Sequence, residues 1–388
     1  MLSAQKKPHL VRTRLMSQTI LWAGISWSHT GIHSGMTPLS REIDVIMPGL
    51  IQRVELKQRK SPLFTRLAGR MRWLLRLPRP APDWIMFEKE NPFYGENFWM
   101  LERQINEVVA QLSPFAVMLE SIDEQLFLLA KEKARWPGTR LVGVSHQPPA
   151  WWRLNHARPD IVSALDLLVV VASTVRPYWE QFLDKKRIRV IPHGVDVEFF
   201  FPSESERKLL SGDENLRVIF CGQWLRDFET MQAVVAIADQ LNLPLHFEMV
   251  VPRQSRGNEA CYRMAMSHRV RWHSDLTDED LRSVYRQSDL LLLPLRDSTA
   301  NNGLLEGMAC GLPVIVTDVG GVRDYAKENF ADFVLPGDAS GIIKILQGYL
   351  NQRDKLAARG RAARAYAEDH HSWRKIASEY IAALQSLD

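Results

Sequence analysis

Short apolar runs alternating with helix-length amphipathic stretches, twice over, constrain this chain more than any other feature. The first series holds 19–25, 114–119, 140–145, 166–171 and 188–192, with helical patterns such as Asn97–Leu112 and Ile122–Arg135 between them. The second restarts at Arg217-Val-Ile-Phe-Cys221 and continues through 245–250, 269–272, 289–293 and 313–317, with helices over Thr230–Leu241 and Asp278–Ser288. Period-two or continuous apolar runs separated by helices specify an α/β class with parallel sheets. A polar, turn-rich stretch, Phe201-Pro-Ser-Glu-Ser-Glu-Arg-Lys and then Ser211-Gly-Asp-Glu-Asn, separates the series. At 388 residues the chain is also too long for one core. The expectation is two Rossmann-like domains facing a cleft: 1–198, rejoined by a terminal helix over 373–388, and 199–372. Ligands of such sheets bind beyond the carboxyl ends of the strands, so two of them make a two-substrate site.

Composition narrows the function. Hydrophobic residues at 46% and charged residues at 24% exclude a disordered or collagenous chain. A net charge of +4 gives no global case for nucleic acid. The three cysteines, Cys221, Cys261 and Cys310, form no C-x-x-C pair, which argues for a reducing compartment and against a zinc site. No run approaches the ~20 apolar residues of a membrane span. Lys6, Lys7, Arg12 and Arg14 before Thr19–Trp27 imitate a signal peptide, but no small-x-small cleavage site follows. The reading is a first strand entering a glycine loop, in a cytoplasmic protein.

The chemistry concentrates in Leu291–Gly321. A buried strand ends at Pro294, a small-residue loop follows (Ser298-Thr-Ala-Asn-Asn-Gly303), and a helix opens near Leu304. Free amides at a helix N-terminus, backed by the dipole, form an anion site, here Asn301, Asn302, Gly303 and Leu304. Glu306, in the first turn, is placed to accept from vicinal hydroxyls such as those of a ribose. Gly320-Gly321 supplies a second close-approach loop.

This stretch resembles the donor-site signature of retaining glycosyltransferases of family 4, which have the GT-B fold. In those enzymes a pair of glutamates leads into "MACGxPV"; the second holds the ribose and the first the donor sugar. Glu306 matches the second. Eight residues earlier stands Ser298 rather than glutamate, with Asp297 beside it as a displaced substitute. Val190-Ile-Pro-His-Gly-Val-Asp-Val-Glu-Phe-Phe-Phe-Pro202 resembles the family's inter-domain segment, with His193 in the turn and Asp196 as a cap. In Phe220-Cys-Gly-Gln-Trp-Leu-Arg-Asp-Phe-Glu229 the family's Gly-Arg is Gly222-Gln223, and Phe228 stands where a lysine would. That leaves Arg226 as diphosphate clamp, or else as a salt-bridge partner of Asp227 or Glu229.

The resemblance extends to the first domain. Gly31-Ile-His-Ser-Gly35 matches the glycine loop facing the transferred sugar, with Gly24 and Gly35 as close-approach points. His33 is a hydrogen-bond candidate there, although His29 and His33 can equally be structural. His146, in Val144-Ser-His-Gln-Pro-Pro149, matches a strand-tip histidine that contacts the donor sugar, and with Asp297 forms the expected catalytic pair. Glu120 and Asp123 are read as cleft-edge acids. The resemblance implies metal-independent transfer from a nucleotide-diphosphate sugar with retention, and no other cofactor. Nothing in the sequence offers a convincing Asp-x-Asp metal motif, and no nucleophile is nominated.

Finally, residues 53–79 hold nine Lys/Arg against one acid, Glu55. On a helix over 61–77, Phe64, Leu67, Met71, Leu74 and Leu75 share one face and Arg66, Arg70, Arg72 and Arg76 the other. Such a helix either touches an anionic membrane surface or packs on the first domain with a solvated basic face. The first alternative implies a lipid-linked glycan acceptor at the inner face of the membrane; no nucleic-acid motif accompanies the patch. The expected function is glycosyl transfer in polysaccharide or glycolipid assembly. A catalytically weakened nucleotide-sugar sensor or scaffold and a nucleotide-sugar epimerase are the alternatives.

Overall fold

The computed structural model describes residues 19–24, 31–54, 95–155, 158–203 and 215–387. Most of the basic segment, including 61–77, and His29 lie outside the described residues.

Two six-stranded sheets, parallel throughout, organise the chain. The first holds β1 (Ile20–Ala23), β2 (Ile51–Arg53), β3 (Ala116–Leu119), β4 (Arg140–Ser145), β5 (Leu167–Val170) and β6 (Ile188–Val190), in the order β2-β1-β3-β4-β5-β6. The second holds β7 (Leu216–Cys221), β8 (Leu245–Val250), β9 (Val270–His273), β10 (Leu290–Leu293), β11 (Val314–Thr317) and β12 (Ala331–Val334), in the order β12-β11-β10-β7-β8-β9. Strand order reverses between β1 and β3 in one sheet and between β7 and β10 in the other. Loops leaving the two central strands there diverge to opposite faces and open a crevice.

Each sheet is covered on both faces, which explains the continuous apolar strands. The last helix, Trp373–Gln385, lies in the first core: Ile376, Ala377, Tyr380 and Leu384 pack with Ile20, Trp22, Leu39 and Ile43. Burying side chains of this size contributes about 1.5–3 kcal/mol each, enough to hold the chain's end to its beginning.

The structure departs from expectation at three places. β2 and β12, both edge strands, are additional. The helix expected over Ile122–Arg135 runs only from Phe127 to Glu132, with a 3-10 turn over Lys133–Arg135. Leu126 sits in the left-handed region (φ 91°), and Asp123 turns inward, so residues 122–126 form a buried turn.

Candidate donor and acceptor cleft

The crevice of the second sheet is built from the loops after β7 and β10. Gly222 adopts φ +98°, and a β-carbon there would stand 2.6 Å from Arg226 Nη2. Glycine therefore lets the arginine fold back over its own loop. Arg226 donates from Nε to the Cys221 carbonyl (2.8 Å), from Nη1 to the Trp224 carbonyl (3.0 Å) and from Nη2 to Asn301 Oδ1 (2.9 Å). The salt-bridge alternative does not hold. Asp227 caps the next helix through the Thr230 N–H (3.1 Å), and Glu229 pairs with Arg296.

Asn301 is the N-cap of the helix Asn302–Ala309, accepting from the Leu304 N–H at 3.1 Å. One asparagine oxygen thus joins the helix start to the guanidinium. Gly303 lies against Arg226 Nη2, with its notional β-carbon 3.4 Å away. Arg226, Gly222, Asn301, Asn302, Gly303 and Leu304 are therefore brought together. The two loops are further stitched by Asp227 N–H to the Pro294 carbonyl (2.9 Å) and Arg296 N–H to the Leu225 carbonyl (2.9 Å).

Glu306 is 5% exposed and reaches across the cleft. Ser34 Oγ, from the first domain's glycine loop, donates to Oε1 at 2.6 Å, and Tyr285 OH donates to Oε2 at 3.0 Å. Burial raises this carboxyl to about 7, against the two hydroxyl hydrogen bonds that favour its charged form. His33, Ser34, Gly35, Gly194, Val195, Asn302, Leu305 and Glu306 surround a hollow of ≈170 Å³, open to solvent.

His33 pairs through Nδ1 with Asp196 Oδ2 (2.7 Å) and stacks on Phe199 at 3.7 Å between ring centroids. Its N–H donates to Asp278 Oδ2 (3.2 Å), and Asp278 occupies the space a side chain at Gly31 would need. His33 thereby docks the glycine loop onto the inter-domain segment and a helix of the second domain. Gly35, at φ +69°, has open space where a β-carbon would be. Gly24 instead lies against the Glu120 carboxylate.

His146 ends β4 in a tightly held loop. Asp123, fully buried rather than at the cleft edge, accepts from the N–H groups of His146 (2.9 Å) and Gln147 (3.2 Å) and from Trp152 Nε1 (3.0 Å). Burial raises Asp123 and, together with the Asp123 charge, raises neighbouring Glu124 to about 8. Glu120 is likewise buried, taking the Trp22 indole N–H. His146 Nε2 lies 2.7 Å from the Glu120 carbonyl. A carbonyl only accepts, so Nε2 carries a proton and, in the neutral ring, Nδ1 is the acceptor.

The His146 carbonyl receives Thr299 Oγ1 from the second domain, and Gln147 Oε1 receives Trp224 Nε1 at 3.0 Å. Asp297 accepts the Ser298 N–H (2.8 Å), and Ser298 is buried. The Gly320-Gly321 loop makes its close approach to protein: a β-carbon at Gly320 would meet the Ser298 carbonyl at 2.0 Å, and one at Gly321 would meet Ala172. His193 is buried, held low at about 3 by burial and by His146; its N–H donates to Tyr325 OH (2.9 Å), which itself donates to the Val171 carbonyl. Sequence reading missed Ser34, Tyr285, Asp278, Thr299 and Trp224. Ser34, Thr299 and Trp224 lay in motif segments already singled out, whereas Tyr285 and Asp278 lay only in a predicted helix.

Comparison with known proteins shows what this geometry is similar to. Residues 215–352 match the family described as Glycosyl transferases group 1. A GDP-mannose-dependent monoacylated alpha-(1-6)-phosphatidylinositol monomannoside mannosyltransferase of Corynebacterium glutamicum is 23% identical, over 67% of this chain and 74% of that protein. A D-inositol 3-phosphate glycosyltransferase of Corynebacterium urealyticum is 24% identical over 62% of this chain and 61% of its own length. The chain thus spans less than two thirds of this second relative. Among solved structures, sucrose-phosphate synthase from Thermosynechococcus elongatus superposes with a TM-score of 0.71 at 15% identity, covering 95% of this chain and 99% of that one. Anabaena Alr3699/HepE in complex with UDP and glucose gives 0.66 at 16%, covering 95% and 100%. The chain has the GT-B fold, and its residues 215–352 match the glycosyl transferases group 1 family.

Proposed function

We propose that this glycosyltransferase moves a sugar from a nucleotide-diphosphate donor to a glycan or lipid-linked glycan acceptor, with retention of configuration. One observation carries the reading. Arg226, the Asn301-capped helix start and Glu306 converge at the crevice of the second sheet and face the glycine loop and His146 of the first. The helix N-terminus and Arg226 supply positive potential for a diphosphate and for the charge that grows on it as the sugar leaves. Glu306 accepts from ribose hydroxyls once Ser34 gives way. His146 Nδ1 is an acceptor for a hydroxyl of the donor sugar, and Asp297 stands in for the family's first glutamate. No metal is assigned a step. Retention follows from the resemblance to retaining enzymes. The relatives named for phosphatidylinositol mannoside and inositol phosphate support a glycolipid-type acceptor. Among the described residues no helix is long and apolar enough to cross a membrane, so an acceptor in a bilayer would be reached from its surface.

Thermal unfolding against UDP, GDP, ADP and their common sugars tests the donor site. A ligand at 100 times its Kd stabilises by about 2.7 kcal/mol, so one nucleotide series should raise the midpoint. Glu306→Ala should erase that rise. A shift without detectable sugar transfer to phosphatidylinositol-type acceptors or other glycans would favour a nucleotide-sugar-binding scaffold. That alternative draws on Ser298 in place of glutamate and on the engagement of Asp297 within its own loop. No shift with any nucleotide would overturn the donor reading.

A further inference from the structure

Trp224 enters the site described so far only through its contact with Gln147 across the cleft, yet it is 51% exposed. Its backbone is fixed at some cost. Leu225 beside it adopts φ +56°, a left-handed conformation that is unfavourable by roughly 1–2 kcal/mol for a residue with a side chain. Arg226 Nη1 binds the Trp224 carbonyl, and the Arg296 N–H binds the Leu225 carbonyl. The indole is fixed as well, since its N–H donates across the cleft to Gln147 Oε1. Gln147 is itself anchored through its N–H to the buried Asp123. Among the described residues no ring or guanidinium stacks on the Trp224 face, and the Gln147 amide nitrogen has no protein partner.

A rigid exposed indole with a fixed amide donor beside it matches one ligand class well. A pyranose ring has an apolar C–H face that packs on an aromatic ring and a rim of hydroxyls that accept and donate hydrogen bonds. The position agrees with this. Trp224 is two residues from Arg226, and in a nucleotide sugar the pyranose is bonded directly to the diphosphate that Arg226 would hold. We infer that Trp224 and Gln147 together form a sugar-binding platform, Trp224 taking the ring face and the Gln147 amide nitrogen a hydroxyl. This deepens the glycosyl-transfer reading and rests on it.

Calorimetry separates the sugar contact from nucleotide binding and donor from acceptor. Titrate wild type, Trp224→Ala, Trp224→Phe and Gln147→Ala with UDP, GDP, UDP-glucose and GDP-mannose, then with methyl α-glucoside and methyl α-mannoside in saturating nucleotide. In Trp224→Ala the nucleoside diphosphate should bind within twofold of wild type. If the platform holds the donor sugar, the nucleotide-sugar Kd rises at least tenfold; if it holds the acceptor, methyl-glycoside binding is lost instead. Trp224→Phe, which keeps a flat ring, should recover most of the affinity. Equal Kd values in wild type and Trp224→Ala for every ligand would overturn the platform, as would a loss shared equally by the sugar-free nucleotides. Wild-type protein that binds no nucleotide would instead overturn the donor reading, and the platform with it.

Discussion

Replacing Glu306 with glutamine should remove a pH dependence of stability that burial of this carboxyl creates. The carboxyl is raised from 4.5 to about 7 in the folded protein, so between those values the native state binds a proton that the unfolded chain has released. Stability from this group is therefore fully present below pH 4.5 and is lost as pH rises through 7. At 1.36 kcal/mol per unit, integration between pH 5 and pH 8 gives a loss of about 2.5 kcal/mol. Glutamine preserves the geometry: its oxygen can accept from Tyr285, and its nitrogen can donate to Ser34 Oγ, so the variant should fold with both contacts made. Urea unfolding of wild type and Glu306→Gln at pH 5, 6, 7 and 8 measures the difference. Glu124, which also titrates in this range, contributes equally to both and cancels. Nucleotide affinity should mirror this, rising from pH 6 to pH 8 in wild type as the carboxylate acceptor forms, and staying flat in the variant. Stability curves that run parallel across the four pH values would refute the assignment of a raised carboxyl to Glu306.

Substitutions at three further positions probe the surroundings. Asp123→Ala strips the partner from two loop N–H groups and the Trp152 indole, each worth about 1–3 kcal/mol when left unmade; urea unfolding should show a loss of about 3 kcal/mol, and Asp123→Asn, which keeps one acceptor oxygen, a smaller one. Gly222→Ala forces a β-carbon onto Arg226 at a strained φ and should cost about 1–3 kcal/mol while abolishing the nucleotide-induced thermal shift. Ser34→Ala frees one oxygen of Glu306, so nucleotide Kd measured by calorimetry should tighten a few-fold; weaker binding would show that Ser34 serves the ligand instead of competing with it.

Features written in contiguous residues were legible in the sequence. The helix start after β10 is one: Asn301, Asn302, Gly303 and Glu306 sit within a single strand–loop–helix segment, so spacing alone places them together. Their partners were not legible, because they come from far along the chain. Ser34 and Glu306 are 272 residues apart, His146 and Thr299 153, Gln147 and Trp224 77. Nothing in a hydroxyl's local context announces which carboxylate it will meet. The edge strands failed for another reason. Ile51-Gln-Arg53 and Ala331-Asp-Phe-Val334 each pair on one side only, so they need neither length nor continuous apolarity. Ile122–Arg135 misled because its apolar residues fit a helical period, while Asp123 is drawn into hydrogen bonds with the β4 loop that a helix would forbid.

The contacts across the cleft also show how a donor could enter. The hollow beside Glu306 is closed on the first domain's side by Ser34, which holds one of the carboxylate oxygens. A ribose hydroxyl can reach that oxygen only once the Ser34–Glu306 contact opens. The contacts that close this side are chiefly single hydrogen bonds and one His33–Asp196 pair, each worth about 1 kcal/mol net, and water can replace them as the faces part. The connection between the domains is built differently. Val195 N–H binds the His371 carbonyl at 2.7 Å, Trp373 N–H binds the Val195 carbonyl at 3.3 Å, and Gly194 lets the Trp373 ring pack where a β-carbon would stand 2.5 Å away. Apolar packing and paired backbone resist separation there far more than the polar seam does. Opening should therefore proceed as rotation about 193–195 and 371–373, with the Ser34–Glu306 contact among those given up.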